Sequence, residues 1–181
     1  MRVLVFSDIH GSLPAARLIQ ELVGKHRPES VILLGDILYH GPRNPLPKGY
    51  DPAATAAILG ALPSRVIAVA GNCDSEVDKA VLPFPIAPEF VWVVTEGPHI
   101  FATHGHIHSP DKLPPLSEGD VFLYGHTHVP QARMQGGIAL CNPGSLSLPK
   151  EDHPAGYGLF EFGAFTVVTT EGEVYLRLEC L

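Results

Sequence analysis

Positive charge is scarce in this sequence: 12 lysines and arginines face 19 aspartates and glutamates, a formal net charge of −7. A protein that grips a nucleic-acid backbone needs clustered basic side chains, so no extended nucleic-acid surface is expected. Long apolar runs are missing too, and without about 20 consecutive apolar residues no membrane-spanning helix is expected. Cysteine is rare, with only Cys73, Cys141 and Cys180. That odd, widely spaced set gives neither a disulfide framework nor a structural zinc site, and it fits reduced thiols in a cytoplasmic setting. Only a short apolar run precedes Asp8, itself a candidate ligand, so a cleaved signal peptide is not expected. Repeats, low-complexity tracts and Ser/Gly-rich linkers are lacking as well, which leaves residues 1–181 as a single domain with room for a sizeable core.

What is present is a set of short apolar runs: Val3–Phe6, Val31–Leu34, Val66–Ala70, Ile100–Ala102 and Val121–Tyr124. Runs of this length without polar alternation suit strands covered on both faces. Ala15, Leu18, Ile19, Leu22 and Val23 recur at helical spacing behind a Ser12 cap, with Pro14 tolerated in the first turn. A second helix starts at an Asp51 cap with Pro52 in first position and stops before Pro63. A third, around Val77, Ala80 and Val81, is capped by Asp74 or Ser75. From residue 131 onward the texture is strands and tight turns, with Gly136-Gly137 and Glu171-Gly172-Glu173 as hairpin signals. Val174, Leu176, Leu178 and Cys180 alternate with polar neighbours, the period of a strand with one buried face. The stretches His40–Tyr50, Leu82–Glu89 and Ser109–Gly119 read as surface loops. The expected fold class is α/β: two packed sheets, the N-terminal βαβ half supplying most of one polar edge and a more antiparallel C-terminal half packing on it, with helices outside.

Each apolar run stops at a residue of metal-binding type. Asp8-Ile9-His10 follows the first, with both side chains on one side of an extended backbone. Gly35-Asp36 follows the second, Gly71-Asn72-Cys73-Asp74 the third, and His104 the fourth. Gly125-His126-Thr127-His128 follows the fifth and offers two neutral nitrogen ligands. Each motif alone also reads as an ordinary turn or solvated pair. Their conjunction along one sheet edge, with six of the ten histidines directly after apolar runs, points to a metal centre.

These motifs, in this order, resemble those of the calcineurin-like metallophosphoesterases. The segments His40-Gly41-Pro42-Arg43-Asn44, Asn72-Cys73-Asp74-Ser75-Glu76 and Asn142-Pro143-Gly144-Ser145 are similar to the small bacterial YfcE-type phosphodiesterases among them. The resemblance implies a four-layer αββα sandwich of two mixed β-sheets. It also implies a hydrolase that cleaves small phosphodiesters with a hydroxide bridging two divalent ions. One ion would take Asp8, His10 and His128, the other Asn72, His104 and His126, with Asp36 bridging. Manganese is the metal implied, and the mixed imidazole and oxygen donors also admit nickel, iron or zinc. By the same resemblance Asp36, Asn72 and Cys73 would take catalytic roles, and Asn72, Cys73 and Arg43 would contact substrate.

Cys73 departs from the histidine common at its position. A thiol is a weak donor, so diesters with good leaving groups are expected to be handled better than alkyl monoesters. Filling space beside Asn72 is the plainer reading of the same residue. His106 and His108 read as supports for a ligand or as ordinary loop and core residues. Trp92, Phe101 and Phe122 read as core packing, and Asn142–Ser145 as a tight turn that shapes the site. A homo-oligomer is expected by resemblance. A non-catalytic scaffold of the same fold for protein partners, like the retromer subunit, is the alternative, although every ligand position here is filled. A repair-type nuclease is disfavoured by the acidic surface.

Overall fold

The computed structural model describes residues 1–180. The chain runs β1 (Arg2–Phe6), α1 (Leu13–His26), β2 (Ser30–Leu33), α2 (Pro52–Gly60), β3 (Arg65–Val69), α3 (Glu76–Val81), β4 (Ile86–Ala87), β5 (Phe90–Val93), β6 (Ile100–Thr103), β7 (Val121–Leu123), β8 (Gln131–Gln135), β9 (Ile138–Asn142), β10 (Gly156–Glu161), β11 (Ala164–Thr169) and β12 (Val174–Glu179). The expected apolar runs are strands, and the helices begin as their caps dictate. Ser12 accepts from the Ala15 amide and Asp51 from the Ala54 amide, each followed by proline in the first turn. At α3 it is Ser75 that caps, in a reciprocal box with Asp78. Asp74 is thereby left for another task.

Two mixed sheets result. The seven-stranded one has the order β12-β11-β10-β1-β2-β3-β4, the five-stranded one β5-β6-β7-β9-β8. Residues alternate along the central strands: Leu4, Phe6, Val31 and Leu33 turn toward a cluster that includes Ala16, Ile19 and Val23 of α1 and Leu59 of α2. Val3, Val5, Ile32 and Leu34 turn the other way and meet Ile100, Ala102, Val121 and Leu123 of the second sheet. The unbroken apolar runs are thus explained by burial on both faces, each filled side chain contributing roughly 1.5–3 kcal/mol.

Several expectations need correction. The C-terminal strands do not form the second sheet. β10 pairs antiparallel with β1 and extends the first sheet with β11 and β12, while β8 and β9 join the second. Strand pairing between halves is a long-range choice that local periodicity does not encode. Among the described residues, the helices pack on the outer face of the first sheet. On the second, Phe101, Phe122, Tyr124, Ile138 and Leu140 are covered in part by Leu113 and Leu116 from the Ser109–Gly119 loop. The Leu82–Glu89 stretch contains β4, and β5 follows it directly. Trp92, on edge strand β5, is not core: it is 40% exposed and stands edge-on to Phe101, with centroids 5.2 Å apart. The alternation in β12 is shallow, since Val174 is exposed and only Cys180 is fully buried. Among the described residues, no helix is long and apolar enough to cross a membrane.

Candidate metal centre

Parallel strands β1, β2, β3, β6 and β7 end on one edge, and all seven expected donors gather there. The backbone achieves this in an unexpected way. Asp8, His10, Asp36, His126 and His128 all have positive φ, between 51° and 66°. The paired donors of Asp8-Ile9-His10 and His126-Thr127-His128 therefore do not converge by extended alternation; left-handed residues turn the chain instead. Such a conformation costs about 1 kcal/mol or more per non-glycine residue, and Asp and His are among the types that tolerate it best.

Hydrogen bonds from outside hold these turns in place. The Ser145 and Ser147 hydroxyls both donate to the Asp8 carbonyl, at 2.8 and 2.9 Å. The Asn142 amide donates to the Gly125 carbonyl and to Thr127 Oγ1, at 3.0 and 3.1 Å, and its oxygen accepts from the Gly144 amide. The Asn142–Ser145 segment is thus both a turn and the support of two ligand loops. Asp74 performs a similar service that sequence reasoning missed. Its carboxylate accepts from the amides of Asp36, Ile37 and Gly71 at 2.7–2.8 Å, tying the end of β2 to the end of β3. Burial raises its pKa above the ordinary carboxylate value, against the lowering by those amides. Side chains at Gly71 or Gly125 would overlap Asp36 or Ser7 respectively, so both close approaches require glycine.

The donor atoms fall into two groups. Asp8 Oδ1, His10 Nε2 and His128 Nε2 form one triangle: 3.7 Å from Asp8 to His10, 3.3 Å from Asp8 to His128, and 3.3 Å between the two nitrogens. Asn72 Oδ1, His104 Nε2 and His126 Nδ1 form the other, with His104 3.1 Å from Asn72 and 3.2 Å from His126. Asp36 lies between, Oδ2 3.8 Å from His10 Nε2 and Oδ1 3.5 Å from His104 Nε2. Ligands about 2.1 Å from a common ion stand roughly 3.0–3.4 Å apart at right or tetrahedral angles, close to these separations.

Proton placement fits the same use. His10, His104 and His128 each direct Nδ1 at a backbone carbonyl, of Tyr39, Leu34 and Leu148 at 2.8, 2.6 and 2.5 Å. An Nδ1 proton donated there leaves the Nε2 lone pair facing inward. Burial lowers the His126 pKa, assisted by the neighbouring His104, which favours its neutral, ligating form. Asp8 Oδ2 accepts from the Ser7 hydroxyl and the His126 amide, whereas buried Asp8 Oδ1 has no hydrogen-bond partner. A buried carboxylate oxygen without a partner is costly unless a cation satisfies it. Burial alone would raise the Asp8 pKa, but His128 and His104 hold it well below the usual carboxylate range. The residues present therefore fit divalent metal binding.

Beside the donors opens a cleft of about 820 Å³ whose walls include Tyr39, Arg43, Asn44, Asn72, Cys73 and Lys150. Arg43 and Cys73 are where the sequence suggested; Tyr39 and Lys150 carried no signal in it. Burial beside Asp36 and Asp74 pushes the Cys73 thiol up to about 12, so sulfur keeps its proton at neutral pH. Of the two further histidines, His106 places its ring 5.3 Å from that of His104, while His108 packs edge-on against Phe101 at 5.4 Å.

A two-sheet α/β fold that gathers metal-donor side chains at its strand ends has the architecture of a metallophosphoesterase. Comparison agrees: the description of the calcineurin-like phosphoesterase superfamily domain matches residues 1–164, and the chain belongs to this family. It is 47% identical over 168 residues to the phosphodiesterase YfcE of Escherichia coli K12, covering 93% of this chain and 91% of that one. A solved structure of that phosphoesterase superposes with a TM-score of 0.97 at 43% identity over the whole of both chains. The phosphodiesterase MJ0936 of Methanocaldococcus jannaschii is 27% identical over 152 residues, 80% of this chain and 83% of that one. Zinc-complexed Vps29 of Entamoeba histolytica shares the fold, with a TM-score of 0.66 at 22% identity over the full length of both chains.

Proposed function

We propose that this protein is a metal-dependent phosphodiesterase that hydrolyses small phosphodiesters. The observation that supports the reading is the convergence of seven donors from five strand ends, with Asp36 between the other six and the partnerless oxygen of Asp8 inside the cluster. Asp8, His10 and His128 would hold one divalent ion, Asn72, His104 and His126 the other, and Asp36 would bridge them. When bound, such a pair supplies positive charge for the phosphate and acidified water for the attacking hydroxide. Manganese is the proposed metal, with nickel, iron or zinc compatible with the same donors.

The chain's own groups do the remaining work. Asp8 and Asp36 carry the two negative charges that balance the cations, and the carbonyl-anchored imidazoles keep their lone pairs aimed without rearrangement. Asn72 stands at the cleft wall with its amide nitrogen 3.3 Å from Cys73 Sγ. Substrate phosphate meets Asn72, Cys73 and Arg43. Because the Cys73 thiol keeps its proton but donates weakly, diesters whose leaving group departs unaided are favoured over alkyl monoesters. The whole chain acts as one domain, self-associates and works in the cytoplasm.

A metal-by-substrate activity grid on chelator-stripped protein tests the reading, comparing activated diesters, cyclic nucleotides and monoesters. Restoration of diester turnover by manganese, and its loss in Asp36→Asn, is the expected result. Protein that binds two equivalents of metal yet never cleaves bis-p-nitrophenyl phosphate would instead be a scaffold.

A further inference from the structure

The cleft departs sharply from the charge of the molecule as a whole. Of 19 acidic side chains only Asp36 lines it, and that carboxylate faces the donor cluster; of 12 basic ones, Arg43 and Lys150 line it. They arrive from separate segments: Arg43 from the loop after β2, whose Asn44 side chain donates to the His40 carbonyl at 2.9 Å, and Lys150 from the chain after β9. Neither is engaged in an ion pair among the described residues. The pairs of other basic side chains, Arg2 with Glu161, Lys79 with Glu76 and Arg177 with Glu179, lie elsewhere.

The position of Lys150 is held at some cost. The His153 amide donates to the Lys150 carbonyl at 3.1 Å across a turn whose central residues, Glu151 and Asp152, have φ of 54° and 60°. Two successive left-handed non-glycine residues are strained, and strain of this kind concentrates where a fold positions something. The same segment is fastened to the donor cluster: the Lys150 amide donates to the His128 carbonyl at 3.4 Å, and His128 Nδ1 donates to the Leu148 carbonyl at 2.5 Å. Two cations at the lip exceed what one singly charged diester phosphate needs, since the metal centre already attracts that group. Tyr39 lines the same cleft, and its half-exposed ring offers an aromatic face for an aromatic substituent.

We propose that Lys150, left over once Arg43 meets the scissile phosphate, forms a second anion subsite at the cleft rim that selects phosphodiesters carrying a further phosphate on one arm. The inference rests on the phosphodiesterase reading above. Its test compares thymidine 5′-(p-nitrophenyl phosphate) with the same compound bearing a 3′-phosphate, using bis-p-nitrophenyl phosphate as the reference diester. The native enzyme should favour the 3′-phosphorylated compound in kcat/KM by about five-fold, the upper range for an exposed charge pair, with the difference in KM and erased by high salt. Lys150→Met should abolish that preference, and Lys150→Arg should retain it. Equal rates for the two nucleotides, or an equal loss on both in Lys150→Met, would overturn the subsite while bis-p-nitrophenyl phosphate turnover leaves the phosphodiesterase reading standing. Absence of turnover on all three with every metal would remove both.

Discussion

Replacing Asn142 with alanine should damage metal binding by a route that never touches a ligand. The side chain is fully buried and makes three hydrogen bonds, to the Gly125 carbonyl, Thr127 Oγ1 and the Gly144 amide. Truncation leaves the buried Gly125 carbonyl and Gly144 amide without this partner. At about 1 kcal/mol per hydrogen bond, with more for a group left dry, the metal-free protein should lose roughly 2–4 kcal/mol. The consequence for function is separate. Gly125 to His128 is the loop in which two left-handed histidines are held, and removing such supporting contacts typically costs about 10- to 100-fold in metal affinity. That equals roughly 1.4–2.7 kcal/mol. Urea unfolding in chelator measures the first quantity, and a calorimetric manganese titration at a temperature where the variant is folded measures the second. A variant that is destabilised as expected but binds manganese within about three-fold of the native protein would show that the Asn142 turn is mere scaffolding. Asn142→Asp, which keeps the shape and loses the donor, should reproduce most of the affinity loss.

Other outcomes follow from the same geometry. Cys73→His should raise monoester turnover relative to diester turnover on a common leaving group; an unchanged ratio would mean that Cys73 only fills space. Gly71→Ala, whose methyl would overlap the Asp36 carboxylate, should abolish metal-dependent activity while far-ultraviolet circular dichroism stays native-like. In chelator, stability should fall as pH drops through the ordinary histidine range, near 6.5, because burial disfavours protonation of His126 in the folded state. Further loss below the ordinary carboxylate value belongs to Asp8, whose folded pKa is depressed. Denaturation midpoints at pH 5 and 7.5 check the sign; a midpoint independent of pH would contradict it. Gel filtration should show an oligomer, and a peak at monomer mass would dismiss it. If edge strand β5 with exposed Phe90 and Trp92 forms part of the contact, Trp92→Ser should move the peak toward monomer.

How much of this was legible beforehand differs by element. Strands buried on both faces are continuous apolar runs, so β1, β2, β6 and β7 were plain, and caps such as Ser12 and Asp51 act on amides three residues away. By contrast, β5 escaped because an edge strand with one open face, Phe90–Val93, mixes exposed and half-buried residues without a clear period. Trp92 is expected in the core because its type is usually buried there, and only its place on that edge reverses the expectation. Asp74 and Ser75 are chemically interchangeable as a local cap, so the sequence leaves both open. Which one reaches across to β2 depends on the neighbouring strand.

The order of residues determined which side chains stand at the ends of apolar runs, and hence the donor chemistry, since solubility and strand burial leave their mark on every local window. Tertiary structure decided the rest. It set the pairing of β10 with β1, the left-handed turns that aim five donors inward, and the placing of Arg43 and Lys150 on one cleft. Contacts across a hundred residues are fixed by which surfaces fit in three dimensions, and a sequence window carries no measure of that fit.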